Sequence, residues 1–118
     1  MIADYILVLE DNVLVAMEIE DELAERGFRV AVAVDIAEAE ALLAQATPRA
    51  ALLDLRLPDG HSAPLALRLM AQDCAVALIS GADSGMIPDS LAGVRRFPKP
   101  VGAWELADWA SGVFDPQT

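Results

Sequence analysis

Five short apolar runs, separated by stretches with helical periodicity, limit the fold of this chain more than any other feature. The runs are Tyr5 to Leu9, Arg29 to Val34, Ala50 to Leu53, Ala75 to Ile79 and, more weakly, Val94 to Phe97. A strand buried on both faces reads as continuously apolar instead of alternating, and four of the five runs have that character. Strands alternating with helices are the mark of βαβ units on a parallel sheet, so the expected class is α/β.

The connecting segments support this reading. Val15, Ile19 and Leu23 recur every four residues beside Glu18, Glu20, Asp21, Glu22 and Glu25, which predicts an amphipathic helix capped by Asn12 and stopped at Gly27. Asp35-Ile36-Ala37-Glu38 resembles a capping box and opens a second helix, expected to end near Thr47-Pro48. A third helix enters at Ser62 to Pro64 and runs to Met70, with Pro64 acceptable only in its first turn. Gly85, Pro88 and Gly93 leave room for no more than a short or distorted helix between Ala82 and Gly93. The last helix is expected over Ala103 to Phe114, ended by Asp115-Pro116-Gln117-Thr118.

A length of 118 residues suits one domain, residues 1–118, with a single core. The 22 alanines predict an interior of small side chains with Leu, Val and Ile. Eight basic residues against nineteen acidic ones give a net charge of −11, which disfavours nucleic acid and anionic membrane surfaces. No apolar run approaches the ~18 residues of a membrane span. Cys74 stands alone, so no internal disulfide framework is expected, and the N-terminus lacks the pattern of a signal peptide; the expected setting is cytoplasmic.

Charged and hydroxyl residues follow the apolar runs: Glu10 and Asp11 after the first, Asp54 after the third, Ser80 after the fourth and Lys99 after the fifth. In an open α/β sheet ligands bind beyond the carboxyl ends of the strands, so these five side chains are expected to meet at one rim. Two carboxylates ~4 Å apart at an effective dielectric near 20 repel by roughly 4 kcal/mol. A hard divalent cation offsets that repulsion most directly, and Mg²⁺ suits a site of few carboxylates completed by waters and phosphate oxygens.

In these pieces the chain resembles the receiver domain of bacterial two-component response regulators over essentially its whole length. The matching segments are Val8-Leu9-Glu10-Asp11-Asn12, Leu52-Leu53-Asp54-Leu55-Arg56-Leu57-Pro58-Asp59-Gly60, Leu78-Ile79-Ser80-Gly81 and Phe97-Pro98-Lys99-Pro100. The resemblance implies a doubly wound, flavodoxin-like parallel sheet of five strands in the order 2-1-3-4-5, with helices on both faces. It implies that Asp54 accepts a phosphoryl group from a histidine kinase or histidine phosphotransfer protein. Asp11 would bind Mg²⁺ directly and Glu10 mainly through water, with Asp54 and the backbone carbonyl of Arg56 completing the protein ligands. Ser80 and Lys99 would each hold a phosphoryl oxygen, and Lys99-Pro100 would be cis. Such a protein is no conventional enzyme: it catalyses its own phosphotransfer and slow autodephosphorylation. It would signal to an unknown downstream protein by contact, onward transfer or phosphate drainage.

The pattern departs from the family at three points: Glu10 stands where Asp is commoner, the connection after Ser80 is short and broken by Gly and Pro, and the residue three before the lysine is not aromatic. Members commonly carry Tyr or Phe three residues before the lysine, where this chain has Arg96, and strand alternation sends the neighbouring Phe97 to the opposite side, into the core. A pseudo-receiver that binds partners without phosphorylation is therefore an alternative. A flavin- or nucleotide-binding enzyme on a similar sheet brings phosphate to a Gly- or hydroxyl-rich loop after the first strand, where this chain places the repelling pair Glu10-Asp11. His61 is expected at a helix entry on the surface. Val13, Leu14 and Met17, at the start of the first helix, are candidates for an apolar docking patch, and Trp104 and Trp109 for packing, with an exposed Trp104 the alternative as an anchor for a partner.

Overall fold

The computed structural model describes residues 2–81 and 87–114. Five strands form one parallel sheet: β1 (Ile2–Leu9), β2 (Val30–Ala33), β3 (Thr47–Asp54), and, beyond a small hairpin, β6 (Ala75–Ser80) and β7 (Arg95–Pro98). Their order is β2-β1-β3-β6-β7, the 2-1-3-4-5 arrangement once the hairpin strands are set aside. The hairpin pairs β4 (Arg56–Leu57) antiparallel with β5 (Gly60–His61). Four helices complete the described fold: α1 (Val13–Glu25), α2 (Ile36–Leu43), α3 (Ala63–Ala71) and α4 (Ala103–Phe114).

Strand alternation divides the core in two. Leu7 and Leu9 of β1, Leu53 of β3 and Leu78 of β6 pack with α2 and α3 through Ala39, Ala66 and Leu69. Ile6, Val8, Leu52, Ile79 and Phe97 face the other way, onto Ile19 and Leu23 of α1 and Leu106 and Ala110 of α4. Because successive side chains point to opposite faces, uninterrupted apolar strands are the only ones that serve both layers. Truncating a fully buried leucine such as Leu7 or Leu52 costs about 2–5 kcal/mol.

Local chemistry sets the helix ends. The Asn12 side chain accepts from the amides of Leu14 and Val15, and the Asp35 side chain from Glu38 N at 2.8 Å, while Glu38 reaches back to Val34 N. Gly27 follows α1 with φ of +91°, a conformation that favours glycine. Pro64 lies in the first turn of α3, as expected. In the fourth connection the described part holds one short 3₁₀ turn, Asp89–Leu91, in keeping with the Pro and Gly there. Gly85 and the tail Asp115-Pro116-Gln117-Thr118 lie outside the described residues.

Two expectations need correction. The second helix ends at Leu43, short of Thr47-Pro48, and those two residues open β3. Proline is tolerated there because β6 pairs with β3 only from Ala50 onward, so at Pro48 the strand has an open side where no amide donor is needed. Trp104 is not a packing residue: it is 59% exposed, whereas Trp109 packs against the α1/α4 layer. Cys74 is buried, and burial pushes its thiol up to about 12, leaving an inert core residue.

Candidate acidic site at the carboxyl rim of the sheet

Parallel register brings the predicted residues together. Leu9 of β1 lies beside Leu53 of β3, so Glu10 and Asp54 follow at the same level of the rim. Asp54 pairs with Ile79 of β6, and Ser80 with Pro98 of β7, which carries Lys99 to the same edge. Ligand oxygens of Glu10, Asp11 and Asp54 all lie within 4.8 Å of one another. Lys99 Nζ is 2.9 Å from Asp54 Oδ2 and 3.5 Å from Glu10 Oε1.

Burial raises the stakes of this clustering. Glu10 is 0% and Asp54 4% exposed, while Asp11 is exposed. Glu10 Oε2 accepts from Asn12 N at 3.0 Å, while Oε1 is buried without a hydrogen-bond partner among the described residues, its ion-pair partner Lys99 Nζ lying 3.5 Å away and the Asp11 and Asp54 carboxylates beside it. Desolvation, reinforced by the nearby Asp54 carboxylate, pushes the Glu10 carboxyl up to about 7. The Lys99 ammonium is held above its usual value by Asp54 and Glu10 against the opposing effect of desolvation, the largest single contribution. One lysine thus partly neutralises the cluster.

The donor set fits Mg²⁺. Carboxylate oxygens are the hard ligands that this ion takes, an orphaned buried oxygen lacks a partner, and the exposed Asp11 leaves an open side for water. Glu10, Asp11 and Asp54 would hold the cation, with the Arg56 carbonyl as a further ligand. Arg56 opens the hairpin, opposite His61.

Ser80 ends β6 half-buried, and its carbonyl accepts from Lys99 N at 2.8 Å, tying the lysine's backbone to the neighbouring strand. The Lys99-Pro100 bond is cis, as expected. Phe97 is buried in the core and Arg96 exposed on the other side, at a cavity of about 320 Å³ lined by Leu78, Ile87, Asp89 and Leu91 among others. His61 is half-buried at the entry to α3, where its Nδ1 accepts from Ala63 N. Val13, Leu14 and Met17 are exposed beside the rim, Leu14 by 74%. A cavity of about 500 Å³ next to them is lined by Glu10, Asn12, Val15, Ile79, Lys99 and Val101 among others.

Sequence reasoning missed Ser62 and the capping role of Asp59. Ser62 is fully buried, its hydroxyl donating to the Asp54 carbonyl at 2.7 Å and its amide to the Leu55 carbonyl at 2.9 Å. A small polar residue eight positions after the acid and just before a proline-containing helix start was the available signal.

No protein-family model matches the chain. The transcriptional regulatory protein PrrA of Mycobacterium tuberculosis is 38% identical over 92 residues, 76% of this chain and 39% of that protein. PrrA of Mycobacterium leprae is 36% identical over the same length. The chain thus spans about two fifths of the curated relatives it matches. Among solved structures, a CheY-like response regulator receiver domain from Methanospirillum hungatei JF-1 superposes with a TM-score of 0.81 at 21% identity, covering 97% of this chain and 95% of that one. The receiver domain of the Francisella response regulator 1452 gives 0.79 at 21% identity, covering 98% and 100%. SdrG from Sphingomonas melonis Fr1 gives 0.76 at 28% identity, covering 93% and 95%.

Proposed function

The chain belongs to the receiver domains of response regulators, and on that premise we propose that it is a Mg²⁺-dependent phosphoacceptor switched by modification of Asp54. The observation that carries this reading is a nearly buried aspartate within 2.9 Å of a lysine ammonium and within 4.8 Å of two further carboxylates.

A carboxylate oxygen of Asp54 attacks the phosphorus of a phosphohistidine donor. The new P–O bond forms as the P–N bond breaks, and the donor imidazole leaves with the electron pair. Transfer of this kind relies on positioning and charge neutralisation more than on covalent help from the protein. Bound Mg²⁺ would supply a second centre of positive charge for the phosphoryl oxygens. Lys99 is the residue placed to follow the charge, exchanging its bond to Asp54 for one to a phosphoryl oxygen, and Ser80 sits at the adjoining strand end to hold another. Water entering in line would return the carboxylate and inorganic phosphate.

The phosphodonor is a histidine kinase or a histidine phosphotransfer protein, docking beside Val13, Leu14 and Met17. The message leaves through a downstream protein. No helix among the described residues is long and apolar enough to cross a membrane, and the net charge of −11 disfavours nucleic acid. A histidine phosphodonor of this kind supports a cytoplasmic setting among protein partners.

Incubation with Mg²⁺ and a small acyl phosphate, followed by intact mass measurement, tests the reading. Wild type should gain one phosphate and Asp54→Asn none. No gain in wild type, checked in parallel with beryllofluoride, overturns it in favour of a pseudo-receiver, and an undiminished gain in Asp54→Asn overturns it by placing the phosphate on another residue.

A further inference from the structure

The loop between Asp54 and α3 is fastened at its base and at its tip. At its base, Ser62 closes the loop onto the backbone of Asp54 and Leu55. At its tip, Asp59 reaches a different element: Oδ1 accepts from Ile36 N at 2.9 Å and Oδ2 from Ala37 N at 3.1 Å. Both carboxylate oxygens are therefore committed to the first turn of α2.

That helix does not depend on Asp59 for its own cap. Asp35 already accepts from Glu38 N, and Glu38 returns to Val34 N, so the box is complete within the local segment. The extra pair of bonds spans 23 and 22 residues of chain and immobilises the loop against the α2 side of the sheet. Gly60, next in sequence, has φ of +148°, and a Cβ there would lie 3.3 Å from Ile36 Cδ1, so the tip is packed closely on the same helix start. On the other side of the turn Leu57 is buried in the α2/α3 layer.

We propose that Asp59 is a positioning residue for the phosphoacceptor site, holding the hairpin that carries Arg56 by a two-oxygen clamp on the start of α2. The inference rests on the proposed Mg²⁺ site, because the ligand it positions is the Arg56 carbonyl. Its mechanical part, restraint of residues 55–62, can be read without metal.

The full chain, stripped of metal, is titrated with Mg²⁺ by calorimetry for wild type, Asp59→Ala, Asp59→Asn and Asp35→Ala. Outer partners that orient metal ligands are worth about 10-fold or more in affinity, so Asp59→Ala should weaken Mg²⁺ binding by about 10-fold. Asp59→Asn, which keeps one acceptor, should recover part of the loss. Asp35→Ala, which removes the local cap of the same helix, should lower thermal stability while leaving Mg²⁺ affinity within about twofold. Amide hydrogen exchange in the metal-free proteins should show faster exchange at Leu55 and Ser62 in Asp59→Ala than in Asp35→Ala.

Equal Mg²⁺ affinity in Asp59→Ala and wild type overturns the proposal, as does an equal loss in Asp59→Ala and Asp35→Ala. Exchange at Leu55 and Ser62 unchanged by Asp59→Ala overturns the clamp itself. Failure of the underlying site has a different signature: wild type then shows no Mg²⁺ binding, or binding untouched by Asp11→Ala, which removes the premise and this inference together.

Discussion

The acidic pocket and the start of α2 both concentrate carboxylates, yet they treat negative charge in opposite ways. In the pocket, Glu10 is fully buried with one oxygen that has no hydrogen-bond partner among the described residues, and its carboxyl is pushed up to about 7. At the start of α2, Asp59 is exposed and accepts two helix amides, which hold its carboxyl below the usual range. Burial without a partner disfavours the ion, while backbone donors at a helix N-terminus favour it. The first arrangement leaves unfavourable charge that a bound cation would relieve; the second uses charge as a fastener.

Removing the pocket's single lysine breaks the comparison most severely. Lys99→Ala leaves Asp54 and Glu10 without their cation and should slow acyl-phosphate labelling by about 10²-fold, read from the time course of intact mass. The same substitution should leave the clamp at α2 intact, visible as unchanged amide exchange at Ile36 and Ala37.

Adding a cation should act only on the pocket. Mg²⁺ at about 100 times its dissociation constant should stabilise the fold by about 2.7 kcal/mol through linkage, and Asp11→Ala should abolish the rise in Tm. An equal Mg²⁺ response in wild type and Asp11→Ala would place the ion elsewhere.

Proton linkage gives the smallest and most diagnostic contrast. For Glu10 the native pKa is raised, so its stabilising contribution is complete below about 4.5 and is lost as pH rises through about 7. Metal-free wild type should therefore lose on the order of 2 kcal/mol relative to Glu10→Gln between pH 5 and 8. For Asp59 the native pKa is lowered, so its contribution is present above 3.8 and is lost as pH falls through the native value. Denaturant melts of wild type, Glu10→Gln and Asp59→Asn across pH 3–8 separate the two. A Glu10→Gln profile parallel to wild type above pH 5 would remove the unfavourable charge from the pocket.

Much of the sheet was legible because a doubly buried strand must be apolar at every position, and the helices announced themselves by four-residue spacing and by Asn12 and Asp35 as caps. Strand limits were less legible. Thr47-Pro48 read as a helix stop because proline rarely enters a strand, and only the late start of β6 makes it acceptable there. The five rim residues, Glu10, Asp11, Asp54, Ser80 and Lys99, could be picked out because each follows an apolar run. Ser62 and Asp59 could not, since their partners are backbone groups whose nearness depends on how the loop folds back.

Residue order by itself determined the five apolar strands of the main sheet, the helices between them and the polar side chains that follow each strand, because hydrophobic period and the residues ending each run are local properties; the Arg56–Leu57/Gly60–His61 hairpin was not legible in it. Tertiary structure alone decided the distances: which oxygen of Glu10 has no hydrogen-bond donor among the described residues, that Lys99 reaches Asp54 at 2.9 Å, and that Asp59 bridges to α2. Those depend on strand register, burial and long-range backbone donors, which exist only after the chain has closed on itself.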